Sequence, residues 1–466
     1  MRWILLTLIC LLSFPLQAKN YLAFLGGSGD PAGDTTIFDS TIAPLGAFSS
    51  SASYEAQVAF DGGRTQTVAK LTASFPDSDV KNFESQNFEA LVGRYEEGLR
   101  NGTITSADQL LLMIDSHGAA RGGRDTITHH ISAGSAEAKD LNNLAGSTTV
   151  SLDRLQALAN LAREKGVRLG IVDMSCHSGA SLPLANTHTC VISASGPDSF
   201  AYGGEDKWIF VNRFISTMGK GKSLEDVFLT ARASSANTDL GFPMISTPEG
   251  ISIQDEIYPI LKKYLNYSQA ESDKLRKEII DSVINGSCEQ EDAELQRINE
   301  LASQLEAVNR GLDLQPLRDA LRNYQDYRKR IQTQLRMNGV GILKENRRIC
   351  YRPGVCENVQ VSSLIGMKPD DMIAFNQRQI AGERNPREVR HYQEMVTYYR
   401  DVKEKQSEVL RLYPGIRGYA TLVQNYPDIA SRTEALARQV AFESRKLYQS
   451  LYQKSEAPNA CRSFIL

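Results

Sequence analysis

Between residues 20 and about 250, short apolar runs alternate with glycine-bearing turns and amphipathic stretches, the pattern of a sheet covered by helices. YLAFLG (21–26), YEAQVAF (54–60), LLLMID (110–115), VRLGIVD (167–173) and CVISAS (190–195) predict five strands. Their near-continuous apolar character suits strands buried on both faces, as in a parallel sheet. Between the third and fourth, SLDRLQALANLAREKG sets Leu152, Leu155, Leu158, Ala159 and Ala162 on one helical face, and Gly166 ends that helix. Strand, helix and strand in this order predict a parallel pair joined by a right-handed crossover.

From about residue 255 the texture changes to charged, glutamine-rich helical sequence. Leu295, Ile298, Leu301, Leu305, Val308 and Leu312 step by threes and fours. The series resumes past Gly311 and Pro316 at Leu317, Leu321 and Tyr324, which predicts a helical hairpin. Further stripes run through Tyr392, Met395 and Tyr399, and through Leu436, Val440, Leu447 and Leu451. The expected organisation is therefore a mostly parallel α/β domain over residues 19–254, followed by a separate all-helical C-terminal module over 255–466.

The first 18 residues stand apart from both. Arg2 supplies a positive start, Trp3 to Leu16 is almost wholly apolar, and Ala18 offers a small residue for cleavage. They predict a signal peptide and an exported protein, periplasmic or secreted. The apolar run is shorter than the roughly 20 residues of a spanning helix, and no later stretch matches one, so no membrane span is expected. With 52 basic against 55 acidic residues the formal charge is -3, which provides no overall field to attract nucleic acid. Export permits disulfides among the seven cysteines. Cys350 and Cys356 flank CYRPGVC as a local pair, leaving Cys288 and Cys461 to bridge distant parts of the helical region. No C-x-x-C spacing accompanies them, so no metal is expected.

Candidate chemistry lies in two similar constructions, LLLMIDSHGA and LGIVDMSCHSG, each a buried strand that ends in a reactive side chain beside a glycine. Ligands of open α/β sheets sit beyond the carboxyl ends of the strands, which would bring His117 and Cys176 to one edge. A histidine beside a thiol raises its nucleophilic fraction and can protonate a leaving amine. Gly118 lets backbone approach a substrate, so its N–H and that of Cys176 are candidate oxyanion donors. Taken singly, a strand-end cysteine is a buried small residue and a loop histidine is solvated. Matched contexts at a separation of roughly 60 residues, near the caspase spacing of about 50, favour the catalytic reading.

The two blocks resemble those of the caspase, metacaspase, legumain, clostripain and gingipain superfamily over residues 20–250. CHSG at 176–179 is similar to the metacaspase block in particular. The resemblance implies a caspase-like sheet flanked by helices and a cysteine endopeptidase acting on protein or peptide substrates without a cofactor. It implies His117 and Cys176 as the catalytic pair and Gly118 as the oxyanion glycine. The strand and loop of CVISASGPDSFAYGG resemble the substrate-pairing segment, so Ser193, Ala194 and Ser195 are expected substrate contacts. One departure stands out: the acid of metacaspases and legumains two places before the cysteine is Met174 here, with Asp173 one place earlier. The basic-residue preference of metacaspases is therefore not carried over.

Several neighbours stay open. Asp198 or Glu205 could floor an acidic pocket, although a loop acid is more often solvated. His129 and His130 lie in RGGRDTITHHISAG, read as a lid or cleavage loop with both rings facing solvent. His177 adjoins the nucleophile but points away from it, and Asp115 either orients His117 or ends a strand. GGSGDPAGD invites a phosphate-loop reading, yet no G-K-[ST] follows it. The helical module could bind a protein partner, inhibit the site or position substrate. Rival readings of the whole are a catalytically silent caspase-like scaffold and a thiol-dependent transpeptidase.

Overall fold

The computed structural model describes residues 18–27, 38–60, 65–121, 128–133, 149–204, 206–235, 241–265, 288–309, 311–336, 342–343, 345–416 and 426–466. The predicted signal peptide up to residue 17 and most of GGSGDPAGD lie outside them. Two compact units result: Met1–Pro259 with Tyr448–Leu466, and Ile260–Leu447.

The first unit contains β1 (Asn20–Gly26), β2 (Tyr54–Phe60), β3 (Val80–Lys81), β4 (Gln109–Asp115), β5 (Gly118–Arg121), β6 (Thr128–Ser132), β7 (Thr149–Ser151), β8 (Arg168–Asp173), β9 (Thr189–Ser193) and β10 (Met244–Ile245). Seven of these form one sheet in the order β10-β9-β8-β4-β1-β2-β3. Its pairs are parallel except β9 with β10. The five strands expected from the apolar runs are all present, and they form the centre of the sheet. Its longer helices are α1 (Asp39–Ser51), α2 (Thr65–Ser74), α3 (Ser85–Asn101), α4 (Leu152–Lys165), α5 (Phe210–Thr217) and α6 (Leu224–Ser235).

Burial on both faces explains the sequence pattern. Tyr21, Ala23 and Leu25 of β1, Leu110, Leu112 and Ile114 of β4, and Leu169 and Ile171 of β8 share one core with the apolar faces of α3 and α4. Arg154 ties these helices together through Glu89 at 2.6 Å and Glu96. The alternate positions form a second layer, where Phe24 stacks on Phe60 at 4.4 Å. There Gly170 leaves its Cβ space to Leu224 and Phe464. The predicted α4 is capped by Ser151, which accepts from the Asp153 amide, and it stops at Gly166 with φ 68°.

The second unit holds the predicted helical hairpin as α7 (Cys288–Val308) and α8 (Gln315–Arg336). It continues with β11 (Asn346–Arg352), β12 (Val355–Gln360), α9 (Val361–Gly366), α10 (Pro369–Gly382), α11 (Pro386–Leu412) and most of α12 (Tyr426–Ser450). The module is therefore mainly but not wholly helical. β11 and β12 form an antiparallel hairpin closed by the expected Cys350–Cys356 disulfide, with Gly354 at φ 81° in its turn. Its polar, cysteine-bearing strands carry too little apolar alternation to mark them in sequence. Ile349 and Val359 of the hairpin pack on Tyr398, Val402 and Val409 of α11.

Two further expectations change. Residues from Tyr448 onward belong to the first unit. Cys461 pairs with Cys190 of β9 across a separation of 271 residues, not with Cys288. Among the described residues, no helix is long and apolar enough to cross a membrane.

Candidate active site

β4 and β8 are adjacent and parallel, and the last residue of their register pairs Ile114 with Asp173. His117 and Cys176 each stand three residues past that pair, so the two reactive side chains leave the same sheet edge from neighbouring strands. The backbone closes the gap further. A Cβ built on Gly118 would stand 2.1 Å from the Cys176 carbonyl oxygen, an approach that only glycine allows.

Cys176 is half-buried, and its Sγ donates to the Ala201 carbonyl at 3.7 Å. Burial pushes its thiol up from the ordinary value. Hydrogen bonding from the backbone at Ala201, at Gly118 and at its own residue works against that rise. His117 is half-buried beside Phe38, which meets its ring edge-on at 5.2 Å.

The imidazole of His177, the residue after Cys176, is engaged on the side of Pro197 and Phe200. His177 adopts the left-handed conformation at φ 63°, a costly geometry for a residue with a Cβ. Its amide donates to Ser199 O at 2.8 Å, and its Nδ1 donates to Pro197 O at 3.3 Å. Its ring also lies against Phe200. Burial holds its pKa below the ordinary histidine value.

Beside the turn that carries Cys176 lies a polar cluster not expected from the sequence. His129, expected to face solvent, has a side chain with no exposed surface. Its Nε2 lies 3.1 Å from both Asp173 Oδ2 and Ser175 Oγ. Ser175 and Ser181 donate to the same carboxylate, each at 2.6 Å, and the Ser175 amide donates to it at 3.1 Å. Asp173 is thus a structural centre that joins β6 to the turn carrying Cys176. Serine and carboxylate share one ring nitrogen, so the three do not form a hydrolytic triad. The only local trace in sequence was the short run THHIS, with β-branched Thr128 and Ile131, which is β6.

Ser193, Ala194 and Ser195 are also reassigned. All three are buried, and their polar groups are spent inside the protein. Ser178 Oγ accepts from the amides of Ala194 and Ser195 at 3.1 Å, and Ser195 Oγ donates to Ser175 O at 3.2 Å. Ser193 Oγ donates to Ser195 O at 3.1 Å, and Ser193 pairs with Met244 of β10. These residues brace the turn that carries Cys176, while the exposed surface falls to the loop that follows. In that loop Asp198 accepts from the Tyr258 hydroxyl. Glu205 lies outside the described residues.

Asp115 does not end its strand idly. It is buried, its Oδ2 accepts from Thr41 Oγ1 at 2.7 Å, and burial pushes its pKa up to about 7 against the opposing effect of that hydrogen bond. Among the described residues no group of His, Cys, Asp and Glu is placed to hold a metal ion.

No protein-family model and no curated protein matches this chain. The functional reading therefore rests on the site's own residues.

Proposed function

We propose that the chain is an exported cysteine endopeptidase of caspase-like type that cleaves protein or peptide substrates through Cys176 and His117. The single observation carrying this is the β4–β8 register, which brings a histidine and a cysteine to matched positions past two neighbouring parallel strands. The approach of Gly118 to Cys176 supports it.

In the proposed reaction His117 takes the thiol proton as Cys176 Sγ attacks the scissile carbonyl. The negative oxygen accepts hydrogen bonds from the N–H groups of Gly118 and Cys176. His117 then returns the proton to the departing amine, leaving a thioester. Water, deprotonated by the same imidazole, attacks the thioester and restores the thiol as the acid leaves. The resting hydrogen bond from Cys176 to Ala201 must open for substrate to reach the sulfur.

A mixed-peptide digest comparing the protein with Cys176→Ala tests this reading. Fragments formed by the wild type alone are expected. Ligated products would replace hydrolysis by transpeptidation, and untouched peptides would leave a silent scaffold.

A further inference from the structure

The loop after β9 carries two large aromatics to the surface beside the sulfur. Phe200 is 62% and Tyr202 39% exposed, and they flank Ala201, whose carbonyl holds Cys176 Sγ at 3.7 Å. Adjacent exposed aromatics mark contact surface more often than singly scattered ones do. This loop is also pinned at both ends. Ser199 O accepts from the His177 amide at 2.8 Å, while Gly204 O accepts from Ser40 Oγ at 3.0 Å and Asn212 Nδ2 at 2.7 Å. Phe200 further rests edge-on against His177 at 5.4 Å. Across the site, Phe38 lies beside His117.

The described acids nearby are already engaged. Asp198 takes the Tyr258 hydroxyl, Asp115 takes Thr41, and Asp173 takes His129, Ser175 and Ser181. Met174, buried and apolar, stands where an acid would receive a basic substrate side chain in the metacaspase-like pattern.

We propose that the site selects substrates with an aromatic or large aliphatic residue on the acyl side of the cleaved bond, seated on Phe200 and Tyr202. This rests on the endopeptidase reading and specifies its substrate class. A carbonyl held at the sulfur puts its own side chain on the adjoining surface, and that surface is these two rings. Apolar pockets discriminate by roughly 10- to 200-fold for a methylene or so, which sets the scale of selectivity to expect.

The test uses the full chain and fluorogenic peptide amides, acetyl-Ala-Ala-Ala-X-aminomethylcoumarin, with X as Phe, Leu, Ala, Arg or Asp. Cys176→Ala is the blank. Phe and Leu should exceed Ala, Arg and Asp by about tenfold or more in kcat/KM. In the double variant Phe200→Ser, Tyr202→Ser, the Phe-to-Ala ratio should fall to within about threefold. Both positions are exposed, and an unchanged melting midpoint verifies the fold. Preference for Arg or Asp, or a ratio unaltered in the double variant, overturns the proposal and leaves the peptidase standing. Should no peptide be cleaved above the blank, the endopeptidase reading fails and the substrate class falls with it.

Discussion

Asp115 shows how one residue near the site couples the fold to pH. Its carboxyl titrates from an ordinary value of 3.8 up to about 7 because burial penalises its charge and the Thr41 hydroxyl only partly offsets this. Between those values the folded chain holds a proton that the unfolded chain has released. The contribution to stability is thus fully present below pH 3.8, declines as pH rises through the window, and is lost above about 7. Asp115→Asn removes the titration while keeping the shape. Relative to wild type, the variant should gain on the order of 3 kcal/mol between pH 4 and pH 8. Urea midpoints at both values check this, and parallel pH dependence of the two proteins would contradict it.

Among the elements, the turn that carries Cys176 depends on β6, a strand that lies on the other side of the buried His129–Asp173 contact. His129→Leu keeps the volume roughly but strips a partner from a carboxylate with no exposed side-chain surface. Removing one side of such a pair should cost about 2–4 kcal/mol. Ser175→Ala, with the Ser181 and amide bonds retained, should cost about 1 kcal/mol. Urea unfolding of both variants separates these magnitudes, and equal small losses would show that the cluster is not a structural centre. The contrast between β4 and β6 explains what the sequence could disclose. β4 and β8 announce themselves because both faces are buried, so the residues between the polar first position and the terminal aspartate of each strand are apolar or glycine. β5, β6 and β7 are short and partly polar, and their pairing partners are set by contacts made only after the chain folds. For the serines of CVISAS, resemblance to a substrate-pairing strand suggested an exposed rim, yet Ser195 bonds to Ser178 and Ser175, and Ser193 bonds to Ser195 O, inside the protein.

At the scale of the first unit, chain from Tyr448 onward packs against the sheet without adding a strand to it. Cys461 is bonded to Cys190 on β9, the neighbour of β8. Around it Phe464 O accepts from the Leu224 amide at 3.1 Å, the Leu466 amide donates to Lys222 O at 2.8 Å, and Ile465 O accepts from Gln109 Nε2 at 2.6 Å. Phe464 occupies the space above Gly170 on β8 itself. Farther along, buried Arg232 lies over the Tyr452 ring at 4.0 Å and donates to Gln449 O and Tyr448 O. No periodicity in sequence could pair cysteines so far apart, because the bridge follows from where the tail packs. A cross-link closing 271 residues removes much of the unfolded chain's freedom, so the double variant Cys190→Ala, Cys461→Ala should lose about 3–5 kcal/mol. Cys176 is spared by this choice, which separates stability from reactivity. If the segment is held mainly by the bridge, limited proteolysis should cut near residues 455–466 in the double variant before any loss of the sheet. If the hydrogen bonds and Phe464 hold it alone, the urea midpoint and the cleavage pattern will match those of the wild type.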